Sequence, residues 1–299
     1  MKLRFPIIFL ALAFFLFPSC EGSLDDEKRA SNEAEIERFL SSKKLQFTKQ
    51  NGVYYATREK GVGYEITKGD SVAFWYIGYT LKGNYFDTNI LEEAEKLGFD
   101  TSVRDYSPIK TVAGTNDFLE GINRGLILCR EGEWGTILFP AIYGFGENIV
   151  ESIPVWSPLA YDIFIIYVKN QEIEQEQNII SNFVASSSGY TQDSTSLWYK
   201  YITENESGIS PSLGDTIYGW YKGSTMNNVV FEDLAAEGQE LVLGDDELID
   251  GLLYGFLMMK TGESMNMLVP SPLGFGITGT DIVAPYTPIF YELRLDSIK

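Results

Sequence analysis

No histidine occurs in the 299 residues. That excludes a histidine general base, a Ser-His-Asp triad and the usual histidine-containing zinc sites. Two cysteines, Cys20 and Cys129, are too few for a disulfide framework. Basic residues are also scarce: 23 Lys and Arg stand against 42 Asp and Glu, for a formal charge of −19. A surface of that sign repels nucleic acid and anionic headgroups, so neither is an expected partner. Long apolar runs are missing too. The run from Ile7 to Phe17 has signal-peptide length and falls short of the ~20 residues of a membrane helix. What remains is 44% apolar and 14% aromatic, enough for substantial cores, in a length that suits about two domains.

Residues 1–19 read as a signal peptide: Lys2 and Arg4, the apolar run, then Pro18, Ser19 and Cys20. A small residue before a cysteine at that place resembles the bacterial lipobox, with Phe17 and Pro18 replacing the more usual aliphatic and small residues. The resemblance implies cleavage before Cys20, a lipid on that cysteine, and anchorage in the bacterial cell envelope. A plain secretory signal or an uncleaved anchor is the other reading. Residues 20–32 are small and charged, without apolar periodicity, and read as a flexible tether. Helical spacing begins with Ile36, Phe39 and Leu40, behind Asn32 and Glu33 as cap residues.

The chain then states one pattern twice. Phe118–Tyr161 and Leu248–Tyr291 align without a gap at an offset of 130. Glycines pair at 121/251, 125/255, 132/262, 144/274 and 146/276, and prolines at 140/270 and 158/288. Both residues are chosen for backbone geometry, so the matches imply matched turns and two copies of one small domain. The boundaries are read as 33–169 and 170–299, with the polar segment Lys169–Asn178 as the join.

Each copy opens with a short helical pattern, a strand, and a Gly-Asp turn (Gly69-Asp70, Gly214-Asp215). Aromatic strands follow at 71–76 and 216–221, alternating as in a sheet with one packed face. Between Tyr76/Tyr221 and Phe86/Phe231 the offset is 145, so the first copy holds fifteen more residues between Asp87 and Val112. That insertion contains a short helical pattern. Phe118, Leu119, Ile122 and Leu126 suit one amphipathic helix lying on the sheet. The fold class is α+β: an antiparallel sheet wrapped around one short helix, twice.

The order Gly69-Asp70, Tyr76-Ile-Gly78, Phe86-Asp87, Phe118-Leu119-Glu-Gly121, Gly132, Tyr143-Gly144, Ile153-Pro154, Tyr161 resembles FKBP-type peptidyl-prolyl isomerases. The resemblance covers about two-thirds of the chain, 65–168 and 210–298. It implies a half-open curved sheet with a proline-binding pocket between sheet and helix, no cofactor, and proline-containing polypeptides as partners. Carried over residue by residue, it implies catalytic roles for Tyr76, Phe86, Asp87, Tyr143 and Tyr161, with Ile109, Phe118, Leu119, Ile122 and Ile153 as further walls. Tyr143 falls on the family's Tyr-Gly tyrosine, whose hydroxyl donates to the bound peptide carbonyl. The second copy carries Tyr221, Phe231, Glu232, Gln239, Leu248, Ile249, Leu252, Leu273, Val283 and Tyr291 at the matching places. Glu232 for aspartate, Gln239 for an apolar wall and Leu273 for tyrosine weaken that second site.

Rotation about an X–Pro bond needs no nucleophile, metal or proton transfer, so the missing histidine is no obstacle. The expected activity is prolyl isomerisation of exported chains, mainly by the first copy. A peptide-holding module is the alternative. Apart from the ordered motif, the same aromatics read as core and Asp87 as a turn residue. Cys129 reads as a buried, inert thiol.

Overall fold

The computed structural model describes residues 24–150, 152–234, 238–245 and 248–299. The expected signal peptide, residues 1–19, and Cys20 lie outside the described residues. Helix α1 (Leu24–Ser42) leads into strands β1 (Thr48–Gln50) and β2 (Val53–Glu59), a hairpin turning at Asn51 and Gly52. Strand β3 (Ser71–Thr80) follows, then β4 (Tyr85–Thr88), helix α2 (Leu91–Leu97), β5 (Ile109–Val112), α3 (Glu120–Leu126), β6 (Trp134–Phe139) and β7 (Leu159–Lys169). All pairings are antiparallel in the order β1-β2-β6-β7-β3-β4, with β5 on the far end of β3.

The second copy repeats this. Helix α4 (Gln171–Ser186) is followed by β8 (Thr191–Gln192), β9 (Trp198–Thr203), β10 (Thr216–Thr225), β11 (Val230–Asp233) and β12 (Gln239–Val242). Helix α5 (Asp250–Met258), β13 (Glu263–Val269) and β14 (Ile289–Ile298) complete it. Its order, β8-β9-β13-β14-β10-β11 with β12 on β10, matches the first sheet strand for strand. The fold is α+β, as the repeated pattern implies.

Each sheet is covered on both faces, which is why the alternation of Ala160–Val168 is imperfect. Tyr55, Ile137, Phe139 and Tyr161 face α3 in one core, while Tyr54, Leu138 and Ala160 meet Ile36 and Leu40 of α1 on the other side. Helix α4 likewise brings Phe183 within 6.0 Å of the Phe290 ring on the outer face of the second sheet.

Two paired glycines turn out to serve contact rather than turning. A Cβ at Gly121 would lie 2.1 Å from Phe139 Cγ, and one at Gly125 2.3 Å from Ile137 Cγ2. The second copy repeats the approach, with Gly251 against Val269 and Gly255 against Met267. These glycines let the short helix lie directly on the sheet. Gly132 and Gly262 are turn glycines, at φ 75° and 85°.

One expectation is corrected at the N-terminal side. Residues 24–32 are not a flexible tether, and Asn32 is not a helix cap: α1 begins at Leu24, and Asn32 is buried within it. Its Oδ1 accepts from Ala141 N at 2.8 Å, and its Nδ2 donates to Trp156 O at 3.1 Å. The first turns of α1 are charged and carry no apolar stripe, so sequence periodicity could not reveal them. Asn32→Ala leaves the Ala141 amide buried without a partner. It is expected to cost about 2–3 kcal/mol, read as a lower Tm.

The join is helical along α4. Asn170 caps it, accepting from Ile173 N at 2.7 Å, and donates to Asp70 Oδ1 at 2.8 Å. Asp70 in turn closes the Gly-Asp turn by accepting from Thr67 N at 2.7 Å. Within α4, Ile173 joins the first core, while Glu176 accepts from Ser271 N and Oγ of the second copy at 2.6 and 2.7 Å. Burial pushes the Glu176 carboxyl above its ordinary range, against the pull of Ser271 and Tyr64. A raised folded-state pKa means stability that is fully present below the ordinary carboxylate pKa and lost as pH rises through the raised value. Glu176→Gln removes that slope. Its Tm relative to wild type is expected to rise as pH increases above the ordinary carboxylate pKa in a thermal-shift series.

Candidate active site

Strand β3 sets the site. Gly78 stands opposite Tyr161 of β7 on one side and Asp87 of β4 on the other. A side chain at Gly78 would meet Phe86 Cε2 and Tyr161 Cε1 at 2.9 Å each, so the glycine is what allows those two rings to close over the strand. Around that point the rings form a cage. Tyr161 lies 5.8 Å from Tyr76, from Phe86 and from Phe139, edge-on to Phe86 and stacked on Phe139. Phe145, in the loop after β6, meets Phe86 edge-on at 6.2 Å. Phe118, just before α3, packs against Phe74 at 5.8 Å.

The polar element is a three-residue chain along one wall. Tyr76 Oη donates to Asp87 Oδ2 at 2.6 Å, and the Arg104 guanidinium donates to Asp87 Oδ1 at 2.6 Å. Arg104 comes from the fifteen-residue insertion, beyond α2. Burial, reinforced by Asp87, holds the Tyr76 hydroxyl above the ordinary phenol range. Tyr161 is raised in the same way, first by burial and then by the charge of Asp87. Both phenols therefore stay protonated at any working pH.

The structure gathers most of the residues expected from sequence. Tyr76, Ile122, Ile153 and Tyr161 belong to one buried core, and Phe86, Ile109, Phe118 and Leu119 pack at its edge. Tyr143 reaches that core but not the cage. Its ring lies across the Arg124 guanidinium, 4.1 Å away, and presses on the turn at Gly52. The aromatic that this loop delivers to the cage is Phe145, which has no hydroxyl. The repeat contained the signal. Offset by 130, Phe145 meets Phe275, so this aromatic is kept in both copies, whereas Tyr143 meets Leu273.

The second copy builds the same cage from Tyr221, Phe231, Phe275 and Tyr291. Phe231 is edge-on to Phe275 at 5.5 Å and to Tyr291 at 5.8 Å. Leu273 and Val283 are buried in its core, with Leu252, while Leu248 and Ile249 pack at the edge. Gln239 is exposed on β12. Glu232 accepts from Tyr221 Oη at 2.8 Å and from Tyr291 Oη at 3.2 Å, so two phenols take the place of the Tyr76–Arg104 pair.

A family model for FKBP-type peptidyl-prolyl cis-trans isomerases matches residues 63–166 and again 208–296. The chain belongs to that family. Among FKBP relatives, it is 26% identical to peptidyl-prolyl cis-trans isomerase FKBP9 of Bos taurus over 230 residues, which cover 76% of this chain and 34% of that protein. Against the FKBP-type isomerase FkpA of Escherichia coli (strain K12) it is 26% identical over 115 residues, 38% of this chain and 42% of that one. The chain thus spans about a third of the length of the first curated FKBP relatives it matches. Among solved structures, it is similar to a peptidyl-prolyl cis-trans isomerase from Pseudomonas syringae pv. tomato, with a TM-score of 0.39 and 20% identity. That match covers 43% of this chain and 93% of the other.

Proposed function

We propose that this protein is a peptidyl-prolyl cis-trans isomerase of exported polypeptides, working chiefly through its first FKBP domain and held at the bacterial cell envelope by a lipid on Cys20. The observation that carries the reading is the aromatic cage of Tyr76, Phe86, Phe145 and Tyr161 set against the Tyr76–Asp87–Arg104 chain.

The X–Pro barrier of ~18–20 kcal/mol comes from amide resonance, which makes the planar form charge-separated and well hydrated. Gripping the pyrrolidine ring between Phe86, Tyr161 and the walls at Phe118 and Ile153 strips water from that amide. The less polar, twisted form gains relative to the planar one. A thousandfold acceleration asks for only ~4 kcal/mol. Asp87 has an oxygen committed to each neighbour, so it contributes a fixed field and an oriented wall rather than accepting a proton.

In the second domain the reading is peptide holding with weak turnover. Glu232 there engages both tyrosine hydroxyls, and exposed Gln239 replaces an apolar wall. An exchange assay on a proline-containing tetrapeptide tests the whole. Full-length wild type should exceed the buffer rate by orders of magnitude, and a rate equal to buffer leaves only the holding function. Fractionation of cells carrying wild type or Cys20→Ser tests the anchor, with release of the serine variant from membranes as the expected result.

A further inference from the structure

The two domains treat corresponding tyrosines differently. Tyr291 of the second domain donates to Glu232, whose longer side chain reaches two phenols. Tyr161 stands at the same place, 130 residues earlier, beside a shorter carboxylate. Asp87 accepts from Tyr76 on one oxygen and from Arg104 on the other, and Tyr161 donates to neither. Among the described residues Tyr161 Oη makes no hydrogen bond. Nor is it sealed away, because among the described residues the one buried side-chain oxygen without a partner is Tyr55 Oη. The Tyr161 hydroxyl therefore keeps a small exposure, within the field of Asp87, while the loop ring Phe145 offers no donor at all.

We propose that Tyr161 Oη is the hydrogen-bond donor of this site and that it donates to the prolyl nitrogen of a bound X–Pro segment as that nitrogen becomes pyramidal. The assignment rests on the isomerase reading of the first domain. In a planar amide the nitrogen lone pair is delocalised onto the carbonyl and accepts poorly. Rotation returns the pair to nitrogen and removes charge from oxygen. A donor aimed at nitrogen thus binds the twisted state better than the planar one and raises kcat. The same donor on the reacting carbonyl would favour the planar state and lower it. No bond is made or broken to the phenol proton, which burial keeps on oxygen.

The test uses the full-length chain and the tetrapeptide assay. Tyr161→Phe removes only an unpartnered hydroxyl, so it should melt with wild type. Its kcat should fall about three- to tenfold with KM little changed. Asp87→Glu brings a glutamate within reach of Tyr161, as Glu232 is of Tyr291, and should lower kcat by a similar factor. Adding Tyr161→Phe to Asp87→Glu should then change little, because the hydroxyl is already engaged. An active wild type with an equally active Tyr161→Phe overturns the donor and leaves the isomerase reading standing. So does a rise in KM alone, or a double variant in which the two losses multiply. A wild type no faster than buffer overturns both.

Discussion

Phe86→Ala is expected to lower kcat/KM about a hundredfold, some 2.7 kcal/mol of transition-state stabilisation, while the chain stays folded. The ring sits half-buried on β4, at the rim of the core rather than in it, and its contacts are Tyr161 and Phe145. Removing a fully buried phenylalanine costs about 3–5 kcal/mol of stability, and a rim position costs less. On the proposed isomerase reading the catalytic loss is larger in proportion, because the ring would be one of the surfaces that keep water off the amide. Without it the planar, hydrated form regains most of its advantage. Phe231→Ala, on the cage whose tyrosines are both held by Glu232, should change the total rate far less. Measured kcat/KM for the two variants decides the matter. A near-normal rate for Phe86→Ala would place the proline somewhere other than between these rings.

The second large effect is on folding. Gly121→Ala is expected to destabilise the protein by about 3 kcal/mol, seen as a lower denaturant midpoint at unchanged slope. Helix propensity alone predicts the opposite sign, since alanine is favoured over glycine by about 1 kcal/mol in a helix. The clash decides. The new Cβ would stand 2.1 Å from Phe139 Cγ, and that ring is fully buried and stacked on Tyr161, so it has nowhere to turn. Either α3 lifts from β6 or the Phe139–Tyr161 stack shears, and in both cases the cage is disturbed along with the core. Gly255→Ala in the second copy offers a contrast. Its Cβ would meet the Met267 Sδ at 2.7 Å, the middle of an unbranched side chain that can swing aside, so its cost should be clearly smaller than that of Gly121→Ala.

Much of this is legible in the sequence, because backbone-determined residues recur at fixed offsets. The paired glycines marked the two domains, and the order of Tyr76, Phe86, Asp87 and Phe118 marked residues that the fold gathers at one core and its edge. Three things escaped, for different reasons. The start of α1 lies in charged residues with no packed face, where helix and tether look alike. Tyr143 falls on the family's Tyr-Gly tyrosine by resemblance, whereas the loop geometry brings Phe145, two residues later, against Phe86. Arg104 sits in an irregular stretch with no period, and only the folded chain brings it to Asp87. Its neighbour's need for a counter-charge was the sole hint in the sequence.

Docking α1 through Asn32 limits how far the first domain could stand from an anchor on Cys20. If a lipid is attached at Cys20, only residues 21–23 separate it from a helix pinned to the loop that bears Phe145 and Ile153. Three residues extend about 10 Å at most, and a nineteen-residue helix adds a fixed rod of about 28 Å. The aromatic cage would then stay within a short, fixed reach of the anchor instead of sweeping the space beyond.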